Sequence, residues 1–130
     1  MIAERNSRNN IDEKWMKLMR IGCRLGCHQF PHRSFYYKGY QFPVCARCTG
    51  VIISSIIATV VFFIHPISII SSVLLAFVMF VDWFIQHIGI KESNNKRRLM
   101  TGLIGGYGVM TIQMYCYRWA FSHLLLLLIK

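Results

Sequence analysis

A chain of 130 residues has the length of one domain. Hydrophobic residues make up 55% of it and charged residues only 15%, against roughly 25% charged in an ordinary soluble domain. Most of the charge falls between residues 4 and 47 and between 91 and 98, a pattern that argues for a membrane protein and against a large soluble core. The net charge of +10 comes without a helix-turn-helix, finger spacing or aromatic RNA-binding signature, so nucleic acid is not an expected partner.

Residues 1–26 read as an amphipathic N-terminal helix. In "IDEKWMKLMRIG", Ile11, Trp15, Leu18 and Met19 share one face and Lys14, Lys17 and Arg20 lie toward the other. Such a helix suits either the cytoplasmic membrane surface or a packing site on its own protein.

Residues 27–50, "CHQFPHRSFYYKGYQFPVCARCTG", carry three of the five cysteines and two of the five histidines. Cys45-x-x-Cys48 has the spacing of a zinc half-site or of a thioredoxin-type redox pair. Two intervening residues let both sulfurs face one centre across a tight turn, and Pro43 helps to start that turn. Cys27 and His28 supply a second half-site, brought back by a juxtamembrane hairpin through "YYKGYQF". Cys27, His28, Cys45 and Cys48 are thus the expected metal ligands, and His32 or a water can replace His28. Thiolate and imidazole donors in a tetrahedral set suit zinc. Redox-active thiols and cysteines that only pack are the alternatives. Cys23 is a spare ligand or a small buried residue, and Cys116 is inert.

Three apolar segments follow, each about long enough to cross a hydrocarbon core of about 30 Å: residues 44–64, 67–90 and 99–118. His65-Pro66 forms the turn between the first two, and "KESNNKRR" (Lys91 to Arg98) is a solvated loop between the second and third. Nine Lys and Arg residues lie before the first span or at its start (Arg47) and four lie in this loop, while the opposite side has only Arg118 and Lys130. The positive-inside rule then puts the N-terminus and the 91–98 loop in the cytoplasm. Residues 119–130 lie along the outer surface as an interfacial tail or extend the third helix.

Asp82 and Gln86 are four residues apart in the second span and share a helix face. A carboxylate in a membrane costs about 2.5 to 3.5 kcal/mol on insertion scales and needs an interior partner. It can act as a ligand, a general base or a cation partner, or it can simply hold helices together. Gly102 and Gly106 form a small-xxx-small pair in the third span, and close packing there brings Asn95 and Arg98 beside Asp82. With Arg33 and Arg47 these residues outline a polar pocket suited to a carboxylate or phosphate.

"CHQFPHRSF", "YQFPVCARCTG", an Asp and a Gln late in the next span, and "ESNNKRRLMTG" together resemble a domain-of-unknown-function family of small bacterial and archaeal integral membrane proteins. The resemblance covers about residues 27–108. It matches at Cys27, His28, Gln29, Pro31, Arg33, Ser34, Phe35, Pro43 through Gly50, Asp82, Gln86, Glu92, Ser93, Asn95, Arg98, Thr101 and Gly102. Asn94 stands where the family pattern has Thr. The resemblance implies the membrane fold and the importance of these residues, and it names no reaction.

The expected protein is therefore all-α: a single polytopic membrane domain of three transmembrane helices, with a cytoplasmic-facing Cys/His zinc site. The lipid bilayer is its surroundings, and association into oligomers is compatible with the glycine-rich third span. One reading makes it a zinc-dependent, hydrolase-like membrane enzyme. In that reading Asp82 or His28 moves protons, and Arg33, Arg47, Gln86, Asn95 and Arg98 hold an anionic small molecule, lipid-like or peptide substrate. The other reading makes it a non-enzymatic module with structural zinc, or a CxxC thiol-disulfide protein.

Overall fold

The computed structural model describes residues 2–89 and 93–129, with side chains from Asn9 onward. Helix α1 (Ile2–Arg24) stops at Gly26, whose φ of +81° is open to glycine at no steric cost. The N–H groups of Gly26 and Cys27 bond back to the carbonyls of Cys23 and Gly22. That is a Schellman closure, and it turns the chain sharply enough to bring Cys27 over the following hairpin. A single 3-10 turn (Pro31–Arg33) leads into β1 (Ser34–Tyr37), which pairs antiparallel with β2 (Tyr40–Cys45). The two-residue loop between them, Lys38-Gly39, has positive φ at both positions, as a type I′ hairpin turn requires.

Three helices follow: α2 (Ala46–Ile64), α3 (Ile69–His87) and α4 (Asn95–Leu128). Val44 and Cys45, expected at the start of the first span, belong to β2, and Cys45 is the extended residue that caps α2. The second helix starts later than expected because Ser68 caps it, its hydroxyl accepting the Ser71 N–H. Asn94 caps α4 by accepting the Arg97 N–H at 2.9 Å. Asn and Thr both perform this task, so the cap geometry accepts either residue at position 94. Residues 119–128 continue α4 without a break, since no glycine or proline interrupts them. Ile90, Lys91, Glu92 and Lys130 lie outside the described residues.

Among the described residues, α2 and α3 are long and apolar enough to cross a membrane. Most of their large apolar side chains face outward, Ile56, Phe63, Ile70, Leu74 and Phe77 among them, an arrangement that lipid accommodates and water does not. Helix α4, with 34 residues, spans about 50 Å. Its glycines, tyrosines and Gln113 dilute its apolarity, so it does not meet the same measure, and two helices rather than the expected three do so.

Small residues set the packing. The buried residues of α2 recur every fourth position, Ala46, Gly50, Ser54, Ala58 and Phe62. This stripe faces Gly102 and Gly106 of α4, where an added Cβ would collide with the Arg47 carbonyl and with Val51 and Ser54. Gly105 and Gly108 lie on another side of α4, against Met79 and Ser72 of α3. One helix therefore carries two glycine faces and packs on both α2 and α3, which share no extended interface of their own. At the far end, the Tyr115 hydroxyl donates to the Ile67 carbonyl at 2.8 Å and its ring meets Phe62 edge-on.

Helix α1 lies on β2. Trp15 Nε1 donates to the Gln41 carbonyl at 2.8 Å, Tyr40 bonds Asp12, and Gly22 lets the Pro43 carbonyl approach closely. Asp12, Trp15 and Gly22 thus mark one face turned to the hairpin, while Ile11, Leu18, Ile21 and Leu25 remain exposed.

Candidate metal centre and the adjoining ion-pair network

The CxxC segment straddles the start of α2. Cys45 is the cap residue, and Cys48 lies in the first helical turn. Both sulfurs therefore sit at the end of the helix where unpaired N–H groups favour negative charge. The Schellman turn and the hairpin deliver Cys27 to the same point, and the Cys45 N–H donates to its Sγ at 3.1 Å. The sulfurs of Cys27, Cys45 and Cys48 all lie within 4.8 Å of one another. Cys27 is buried and the other two are half-buried. The Cys45 thiol is held down to about 5, chiefly by a hydrogen bond from the Cys48 thiol. Burial opposes the effect, and the Cys48 backbone, the Cys27 side chain and the Arg47 backbone reinforce it. Three thiol donors around one point fit a thiophilic ion such as zinc.

His28 is not in this group. Its ring is exposed and tilts against Phe30 at 5.9 Å, because the helix-ending turn points residue 27 inward and its neighbour outward. His32 is also exposed, accepting a bond from Arg33 Nε at 3.2 Å. Cys23 and Cys116 are exposed and separate from the cluster. Among the described residues the cluster thus has three donors, and the fourth expected one lies elsewhere.

Gln29, a motif residue to which sequence reasoning assigned no task, holds the cluster's frame. It adopts a φ of +50°, uncommon for a residue with a side chain. From there its Nε2 donates to the carbonyls of Met19 in α1 and Pro43 in β2, at 2.7 and 2.6 Å. Its own carbonyl accepts from Gln41 Nε2 at 2.7 Å.

Arg47, between the two cysteines, reaches away from the sulfurs to Asp82 on α3. Its Nη2 lies 2.5 Å from Oδ2. Asp82 is 3% exposed and also receives Gln86 Nε2 at 2.6 Å and Thr101 Oγ1 at 3.1 Å. Arg97 Nε stands 2.7 Å from Oδ1. That N–H is not aimed along the line of contact, so Oδ1 has an ion pair and no hydrogen bond. One carboxylate thereby ties α2, α3 and α4 together. Arg97 was legible only as a loop charge in the sequence, and the need of Asp82 for an interior partner was the signal that could have found it. Arg98 bonds Gln86 Oε1 at 3.3 Å, and Asn95 Nδ2 donates to the Ser34 carbonyl at 3.1 Å. Asn95 therefore lies beside β1, and Arg98 beside the Asp82 network.

Two helices long and apolar enough to cross a membrane, with a thiol cluster where the first of them begins, fit a membrane protein with a candidate metal centre. The chain belongs to the family described as "Predicted membrane protein (DUF2085)", whose model matches residues 27–112. It is 36% identical to an uncharacterised protein of Methanothermobacter thermautotrophicus over 94 residues, covering 68% of this chain and 85% of that one. It is 39% identical to an uncharacterised protein of Methanocaldococcus jannaschii over 93 residues, covering 66% of this chain and 60% of the relative. No solved structure matches.

Proposed function

We propose that this is a three-span integral membrane protein whose cytoplasmic face carries a zinc centre with one open position. Cys27, Cys45 and Cys48 would hold the metal. The observation that carries the reading is the meeting within 4.8 Å of three sulfurs, from the turn after α1, from β2 and from α2. Structural zinc sites are usually closed by four protein ligands, whereas reactive ones keep three and an exchangeable fourth. Zinc bound in this way supplies Lewis-acid polarisation to whatever oxygen ligand takes the open position.

The chain's own residues would divide the remaining work. Asp82 is engaged by two guanidiniums, Gln86 and Thr101, so its role is to position Arg47 rather than to move a proton. His28, exposed and bearing only a ring contact among the described residues, is the better candidate for proton transfer at the rim. The exposed apolar stripe of α1 would rest on the cytoplasmic leaflet, with Lys14 and Lys17 toward anionic lipid. A non-catalytic staple is the second reading. It is favoured by the way Cys27, Cys45 and Cys48 join the end of α1, the end of β2 and the start of α2.

Elemental analysis of the purified full chain tests the first step. About one zinc per chain is expected, lost in Cys48→Ser and retained in Cys116→Ser. A chain of undiminished stability without metal, with Cys45 and Cys48 joined as a disulfide in cells, would reject the centre in favour of thiol redox chemistry. Loss of zinc that removes stability alone, with no change in ligand binding, would favour the staple.

A further inference from the structure

The three arginines of the Asp82 network, Arg47, Arg97 and Arg98, are not balanced by its carboxylate. Asp82 is the only carboxylate that the described residues place there, and Arg47 and Arg97 pair with it. Arg98 is 7% exposed, yet no carboxylate among the described residues lies within ion-pair distance. Its one hydrogen bond, from Nε, goes to a neutral amide oxygen of Gln86 at 3.3 Å. Its terminal nitrogens have no partner among the described residues and are not sealed from solvent. Those terminal nitrogens are therefore the donors left to meet an anion arriving from solvent.

The surroundings say where that counter-ion would sit. Asn95, one turn before Arg98 on α4, bonds the Ser34 carbonyl, which sets Arg33 beside the first turn of the helix. Ser34 in turn lies opposite Cys45 in the hairpin register. Arg98 is within electrostatic reach of Arg33, Arg47, Asp82 and the Cys45 sulfur. The start of α4 adds the positive end of a long helix.

We propose that Arg98 and Arg33 form a phosphate-binding site at the rim of the cysteine cluster. A guanidinium pairs with two oxygens in one plane. A phosphate group offers more oxygens than a carboxylate, so it can serve two guanidiniums and still leave an oxygen for the open metal position. Arg47 is not part of the site, since Asp82 holds it. The inference deepens the zinc reading by naming the ligand class, and it rests on that reading only for the oxygen directed to the metal. The phosphate belongs either to a lipid headgroup or to a soluble ion.

The test uses the zinc-loaded full chain in phosphatidylcholine nanodiscs. Binding of inorganic phosphate is measured by calorimetry, and zinc content is measured on the same samples. Arg98→Gln and Arg33→Gln are expected to weaken binding about tenfold or more with zinc retained, and Arg118→Gln, at the far end of α4, to leave it unchanged. Arg33 is exposed, so its variant keeps the test decisive should Arg98→Gln fail to fold. Phosphatidic acid in the disc either displaces inorganic phosphate, which assigns the site to a lipid headgroup, or does not, which assigns it to a soluble phosphate. Zinc-loaded protein that takes up no phosphate at millimolar concentration, or variants that bind it like the parent, would overturn the site and leave the zinc reading intact. Arginine-dependent binding by protein that holds no zinc would support the site and reject the zinc reading.

Discussion

Arg47 Nη2 and Asp82 Oδ2 lie 2.5 Å apart, and through this contact the motif that carries the cysteines is anchored to the last turns of α3. Arg47 is one of the two residues between Cys45 and Cys48, so any shift of α3 or α4 that moves Asp82 pulls directly on the segment holding the sulfurs. Removing one partner of a buried pair leaves an uncompensated charge and costs about 3 to 5 kcal/mol. Asp82→Asn and Arg47→Gln should each lower unfolding stability in detergent by about that much. The double variant should lose clearly less than the sum. Additive losses would show that the two residues act independently.

The two glycine faces of α4 give a second prediction. Gly106 faces Val51 and Ser54 across a backbone contact with no room for a side chain. Gly106→Leu should separate α4 from α2 and cost about 3 kcal/mol or more, the upper end of overpacking effects. Val109→Leu, at an outward-facing position, should be neutral. Thermal unfolding of the purified variants reads both, and equal stability of the two would contradict the packing described.

Orientation makes a third prediction. Thirteen Lys and Arg residues fall on one proposed side and two on the other. A reporter fused at Lys130 should be read outside the cytoplasm and one inserted near Asn94 inside it. The reverse pattern would place the cysteines in an oxidising compartment, where a Cys45–Cys48 disulfide becomes the expected state.

A fourth concerns the thiols. Cys23 and Cys116 are exposed and should be alkylated by a maleimide whether or not metal is present. Cys27, Cys45 and Cys48 should be protected in zinc-loaded protein and become reactive after chelation, as mass spectrometry of the labelled peptides would show. Protection that chelation does not relieve would mean that packing, and not metal, covers these sulfurs.

Much of this fold was legible in the chain because its signals are local. Apolar runs, the His65-Pro66 turn and the CxxC spacing each depend on residues near one another in sequence. The convergence of Cys27 with Cys45 followed from spacing and a glycine turn. The position of His28 did not, since adjacent residues leave a tight helix-ending turn in opposite directions and only the backbone path decides which enters the cluster. Arg97 was hidden for a similar reason. Three consecutive basic residues, Lys96, Arg97 and Arg98, look alike as a solvated loop, but as the first turn of α4 they point at different neighbours. The length of α4 was also obscure, because glycines and polar residues lower its apolarity without breaking its helix. The every-fourth-residue stripe of α2 was present in the sequence as Ala46, Gly50, Ser54 and Ala58, and it would have identified the partner of Gly102 and Gly106.

The most direct test of the metal centre is X-ray absorption at the zinc edge on the full chain purified with its native metal. The account predicts about three sulfur scatterers near 2.3 Å and one lighter nitrogen or oxygen ligand, with the sulfur number falling to about two in any residual zinc-bound Cys27→Ser protein. Zinc surrounded by nitrogen and oxygen alone, or a fully folded chain whose three clustered cysteines carry no metal, would contradict it.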